Sequence, residues 1–237
     1  MLRPAGAPLY AHRVIATVQV ADLGVGGAAR ALTRPLRPRD VPGLRWSKTL
    51  LFAPLALSGP PPLGRVGLLA LWDDDDTAAR FVASHPVAHR FSGGLHARLR
   101  PLRAHGSWPG LPDDVPRSRA VPHDGPVAVL TLGRLRISQT VRFLRTSRPA
   151  ERSATAHDGL LWGSAAVRPP YVATVSIWSD SRATAAYAYG QQQPAHHDAI
   201  AEQQRADFHH QSAFIRFAPV VLEGALGGSN PFAGTSG

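Results

Sequence analysis

Gly43-Leu44-Arg45-Trp46-Ser47-Lys48 returns later in the chain as Gly159-Leu160-Leu161-Trp162-Gly163-Ser164. Leu69-Ala70-Leu71-Trp72, followed by an acidic run and Ala78-Ala79-Arg80-Phe81, returns as Val175-Ser176-Ile177-Trp178, followed by Asp180 and Ala185-Ala186-Tyr187. Each copy then reaches a proline with histidine beside it, in His85-Pro86-Val87-Ala88-His89 and in Pro194-Ala195-His196-His197. The matches keep their order at offsets of 106 to 116 residues. That period is too long for a solenoid unit. It predicts two fused copies of one small domain.

Each copy reads as β-α-β-β-α-β. In the first, Arg13 to Val20 is short and β-branched and predicts a strand, Gly24 to Leu32 a helix, and Leu44 to Phe52 and Val66 to Trp72 two further strands. Asp73 to Asp76 suggests a cation site at first sight. The plainer reading is a helix start, with Asp73 as cap and the next acids facing the positive end of the helix dipole. Gly93-Gly94 ends the helical stretch, and Leu95 to Leu102 alternates as a fourth strand. The second copy predicts strands at Pro126 to Leu132, Gly159 to Val167, Tyr171 to Trp178 and Ala213 to Val221. Its helices fall at Ser138 to Arg145 and from Ser181 to about Asp207, interrupted near Gly190 to Pro194.

This order is that of a ferredoxin-like unit. Strands apolar on both sides, such as Val66 to Leu71 and Val172 to Ile177, need cover on both faces. The expected architecture is therefore α+β: two fused ferredoxin-like repeats packed sheet to sheet as an α+β barrel. The expected divisions are a first half at 1–106, a Pro-rich linker at 107–125, a second half at 126–222 and a disordered tail at 223–237.

Composition narrows the chemistry. The 237 residues contain no cysteine, which excludes disulfides, thiolate metal sites and cysteine nucleophiles. No apolar run approaches the roughly 18 to 20 residues of a membrane span, and the first residues show no secretory signal. A cytoplasmic location is the default. The net charge is +10, and Lys48 is the single lysine among many arginines. The arginines are scattered and no zinc-finger, RNP-type or helix-turn-helix pattern accompanies them, which sets nucleic acid aside. Arg30, Arg34, Arg37 and Arg39 suit peripheral association with an anionic membrane surface.

Histidine is the informative residue type, with eleven copies. In a chain without cysteine, neutral imidazole is the natural ligand for haem iron. His196, His89 and His210 are the candidate cofactor ligands, His196 first. Trp46, Trp162 and Trp178 recur at equivalent strand positions, either as core packing or as an aromatic wall for an apolar ligand. Lys48 has Ser164 as its counterpart. The copies thus differ at the sole lysine, a candidate catalytic group that could pair with a propionate or polarise bound oxygen.

The chain resembles the spheroidene monooxygenases of carotenoid biosynthesis over roughly residues 13 to 222. The resemblance rests on Trp46-Ser47-Lys48-Thr49-Leu50, Ala70-Leu71-Trp72-Asp73-Asp74, Ser176-Ile177-Trp178-Ser179-Asp180, His196-His197-Asp198-Ala199-Ile200 and Phe214-Ile215-Arg216-Phe217. It implies an enzyme that inserts oxygen, as a keto group, into a carotenoid or similar apolar small molecule. It also implies haem, with His196 matching the histidine of the family's H-x-x-A-I element, and an unidentified electron donor. Two rival readings stay open: a cofactor-free oxygenase of the same barrel class, and a non-enzymatic binding protein for haem or a hydrophobic ligand.

Overall fold

The computed structural model describes residues 13–56, 62–118, 123–139, 149, 151–189, 208–228 and 230–233. Its first half runs β1 (Ile15–Asp22), α1 (Gly24–Thr33), β2 (Leu44–Pro54), β3 (Arg65–Trp72), α2 (Asp75–Ser84), α3 (Pro86–His89) and β4 (Leu95–Gly106). Its second half runs β5 (Val127–Leu135), β6 (Leu160–Arg168), β7 (Tyr171–Trp178), α4 (Ser181–Tyr189) and β8 (His209–Gly224). The eight strands form one closed antiparallel barrel in the order β1-β3-β2-β6-β7-β5-β8-β4. The halves are joined edge to edge, β2 to β6 and β4 to β8, so their inner faces look at each other across a shared core.

Strand alternation decides which residues fill that core. Val14 just before β1 and Ala16, Val18 and Val20 of β1 point inward, with Leu50 and Phe52 of β2, Leu69 and Leu71 of β3, and Leu95, Ala97 and Leu99 of β4. Ala128, Leu130 and Leu132 of β5, Ala173, Val175 and Ile177 of β7, and Ala213, Ile215 and Phe217 of β8 complete it. Gly67 is small because it must be: a Cβ there would lie 2.5 Å from the Phe52 ring. The opposite residues of the first half, Ile15, Val66, Leu68, Ala70 and Trp72, pack under α1 and α2 as a second core.

The two halves repeat their details. β2 and β3 pair Leu44 with Trp72 and Trp46 with Leu71, with a bulge between Leu44 and Trp46. β6 and β7 pair Leu160 with Trp178 and Trp162 with Ile177, with a bulge between Leu160 and Trp162. The Asp73 amide donates to the Gly43 carbonyl at 2.8 Å, and the Ser179 amide to the Gly159 carbonyl at 2.9 Å.

Four sequence expectations change. Asp74, not Asp73, caps α2: its carboxylate accepts from the Thr77 amide at 2.8 Å, while Asp73 pairs with Arg45 at 3.3 Å. β4 and β8 outrun their expected ends because irregularities at Pro101 and near Pro219 absorb the proline that breaks a regular ladder. Residues 107–118 are no free linker: Trp108 and Val115 are buried in the barrel core, and the Ala104 amide donates to the Pro116 carbonyl at 2.8 Å. Nor is the described part of 223–237 a loose tail, since β8 continues to Gly224 and Phe232 is buried in the same core. Much of the expected helix at 138–145 lies outside the described residues. Among the described residues, no helix is long and apolar enough to cross a membrane.

Candidate functional site

The barrel places the sequence candidates in three locations. Lys48 shares the inward parity of Leu50 and Phe52, so the only lysine points into the barrel at one rim. Its ammonium lies 4.1 Å from the centroid of the Tyr171 ring on β7. Tyr171 pairs across the sheet with Arg168 on β6 and with Arg134 on β5. Directly paired residues share a face, so the two guanidinium groups flank the tyrosine on the side that Lys48 approaches. Arg168 also reaches the Thr49 carbonyl at 3.5 Å. Burial pulls the Lys48 pKa below the ordinary lysine value, and the neighbouring charges of Arg168 and Arg134 pull it the same way. Its repeat counterpart Ser164 is buried and donates to the Ala53 carbonyl at 2.7 Å, a structural task with no charge.

An aromatic wall backs this rim. Trp46 meets Trp108 edge-on at 5.6 Å, and Trp108 meets Tyr171 edge-on at 6.3 Å. Trp108 and Tyr171 were not legible as partners of Trp46, because nothing in the local sequence links three residues brought together only by closure of the barrel. Trp162 packs against the same core, but at the other end of β6 from Arg168.

Trp178 faces the other way. It is buried outside the barrel, stacked on Tyr187 of α4 at 5.0 Å, and donates to the Ser176 hydroxyl at 2.8 Å. Burial, with Glu151 adding to it, pushes the Tyr187 hydroxyl up to about 12, so it is neutral at physiological pH. The tryptophans expected to form one wall therefore divide between the interior and the exterior.

At three equivalent outer positions the second half is more exposed than the first. Registers make Gln19, Leu68 and His96 equivalent to Thr131, Thr174 and Phe214. The first three are buried, whereas Thr131 and Thr174 are half-buried and Phe214 is 39% exposed.

Among the described residues, no three histidine or carboxylate side chains gather at one point. His89 is exposed at the end of α3, and its Nε2 lies 3.0 Å from the Ala83 carbonyl. His210 is exposed at the start of β8. His196 lies outside the described residues. His96, passed over in the sequence because it sits in a regular alternation, is buried on the outside of β4. It lines a cleft of about 250 Å³ with Val82, Arg98, Val221 and Glu223, and burial, then Arg98, lowers its pKa to about 4.

No protein-family model matches the chain. A spheroidene monooxygenase of Rubrivivax gelatinosus is 32% identical over 174 residues, 71% of this chain and 65% of the relative. That of Cereibacter sphaeroides is 26% identical over 170 residues, 69% of this chain and 52% of the relative. A third, from Rhodobacter capsulatus, is 27% identical over 182 residues, 73% of this chain and 75% of the relative. The chain thus spans just under two thirds of the first relative's length and about half of the second's. Among solved structures, an aldoxime dehydratase in complex with butyraldoxime is similar in fold over 87% of this chain and 79% of its own, at 10% identity and a TM-score of 0.51. The Trp-x-Lys, Trp-x-Asp and Arg-Phe segments noted in the sequence are strand elements of this one barrel, and in sequence the chain is similar to the spheroidene monooxygenases.

Proposed function

We propose that the protein is a monooxygenase that inserts oxygen into a carotenoid or a similar apolar molecule, with haem as cofactor and His196 as iron ligand. The observation that carries this reading is its kinship with the spheroidene monooxygenases. The matching bulges and registers of the two halves support reading the barrel as two fused ferredoxin-like repeats, divided within 107–125.

Among the described residues, His89 is exposed at the end of α3, with its Nε2 3.0 Å from the Ala83 carbonyl. His210 is exposed at the start of a strand. Our candidate surface for a flat apolar ring is the outer face of the second half, where Thr131 and Thr174 are half-buried and Phe214 is 39% exposed. In sequence, His196 belongs to the segment between α4 and β8. Bound haem supplies the activation of dioxygen. The chain's part is to hold and orient: apolar side chains exclude water, and the neutral Tyr187 hydroxyl adds no charge beside the ring. An electron donor must supply two electrons for each oxygen atom inserted, with the second atom leaving as water. Lys48 lies on the opposite side of the barrel wall, so a direct role at the iron does not follow from its position. Exposed Arg30, Arg34, Arg37 and Arg39 suit a cytoplasmic protein that meets an anionic bilayer where a carotenoid resides.

Expression with a haem supply, followed by an absorption spectrum, tests the reading. The expected result is a Soret band that His196→Ala abolishes and His89→Ala leaves in place, together with turnover of a carotenoid given reductant and oxygen. Haem without turnover would leave a binding protein. Turnover without a chromophore would favour a cofactor-free oxygenase.

A further inference from the structure

The rim that holds Lys48 gathers three cations and, among the described residues, no ion-pair partner for them. Arg134, Tyr171 and Arg168 stand in one row across β5, β7 and β6. Lys48 reaches over the same tyrosine from β2, at 4.1 Å from its centroid. Among the described residues, ion pairs occupy Arg39, Arg45, Arg65, Arg98 and Arg117, whereas none is made by Lys48, Arg134 or Arg168.

Such a grouping is costly as it stands. Like charges repel, and Lys48 is partly withdrawn from water, where its charge is harder to sustain. The tyrosine ring offsets part of this, since a cation over an aromatic face gains about 0.5 to 1 kcal/mol at an exposed site. One ring beneath one of the three cations does not offset the whole. Nor is it packing filler, because the equivalent position in the second half, Ser164, closes the barrel wall without any charge. What the arrangement lacks is an oxyanion. Two planar guanidinium groups provide paired donors and the ammonium adds a compact point charge, a set that matches carboxylate or phosphate oxygens.

We propose that this rim binds an oxyanion, the carboxylate or phosphate group of a ligand, between Lys48, Arg134 and Arg168. The Trp46–Trp108–Tyr171 wall beside it offers an apolar surface for whatever that group is attached to. The site lies inside the barrel mouth, apart from the outer face proposed for haem, and stands whether or not the monooxygenase reading does.

Isothermal titration of the full chain at low salt, with inorganic phosphate and separately with hexanoate, tests it without any turnover. Saturable binding of at least one anion is expected. Binding of phosphate alone identifies a phosphate site, and of hexanoate alone a carboxylate site. Arg168→Gln and Lys48→Met should each weaken binding about tenfold, as for one charge-assisted hydrogen bond, whereas Arg80→Gln on the outer face of α2 should change nothing. If Lys48→Met fails to fold, the rim-exposed Arg134→Gln takes its place. Absence of saturable binding for both anions, or an equal loss in Arg80→Gln, overturns the proposal.

Discussion

His96→Phe should make the protein less sensitive to mild acid. His96 is 8% exposed, on the outer face of β4. Its cross-strand neighbours are Gln19 and Glu223, and Val82 of α2 and Arg98 line the same cleft. Burial, and then Arg98, lower its pKa from 6.5 to about 4. The unfolded chain therefore takes up a proton at this residue before the folded protein does. The stabilisation is fully present above pH 6.5 and is lost as the pH falls toward 4. At pH 5, linkage between those two values makes the loss about 2 kcal/mol. Other groups also titrate in this range, so the quantity to measure is a difference. Urea unfolding of the wild type and of His96→Phe, followed between pH 7 and pH 5, should show the gap closing or reversing by about 2 kcal/mol in favour of the variant. Phenylalanine is a reasonable replacement because the equivalent position in the second half is Phe214. His96→Gln serves as a second, uncharged variant. Parallel curves for all three proteins would refute the reasoning, because they would mean that His96 titrates alike in both states.

Thr17→Val should lower the unfolding free energy by about 1 to 3 kcal/mol. It keeps the shape but removes the acceptor that lies 2.9 Å from the Trp72 indole nitrogen, with both residues buried; thermal unfolding should register it, and an unchanged midpoint would contradict it. Ser176→Ala, which removes the corresponding acceptor of Trp178, should cost less because Ser176 is only half-buried. Lys48→Met should raise the midpoint at pH 7. The folded lysine's pKa lies below its unfolded value, so wild-type stability climbs as the pH rises from the lowered value toward 10.5. The variant's advantage should shrink over that range, and a gap independent of pH would argue against it.

The doubled pattern of tryptophan and apolar alternation was legible because it is local. Trp72 and Trp178 end their strands at equivalent registers, and the strand starts at Leu44 and Leu160 follow from the same pattern. The ends of β4 and β8 were harder to read, because proline at a bulge looks the same in sequence as proline ending a strand. The segment at 107–118 looked like a linker because proline dominates it. Trp108 and Val115 were the contrary signal, and they have partners only once the barrel closes. The same reason hides the rim around Tyr171. Lys48 stood out by its rarity, but its neighbours lie on β5, β6 and β7, more than eighty positions away in sequence. The difference between the outer faces was readable only in hindsight: Thr131 and Thr174 suit any strand, and their smallness gains meaning beside Gln19 and Leu68.

The two junctions between the halves are unequal, and this gives the barrel a spine and a fore-edge. Along β4 and β8 eleven residues are in register, from Leu95 opposite Gly224 to Gly106 opposite Ala213. Along β2 and β6 only four are, from Leu51 opposite Val167 to Pro54 opposite Ser164. Trp108 and Phe232 fill the interior from the segments that follow β4 and β8, which leaves the short junction as the cheapest place to part the wall. Local opening follows the fewest backbone bonds. The barrel should therefore open like a book held at its spine, with the amides between β2 and β6 exchanging with solvent before those between β4 and β8.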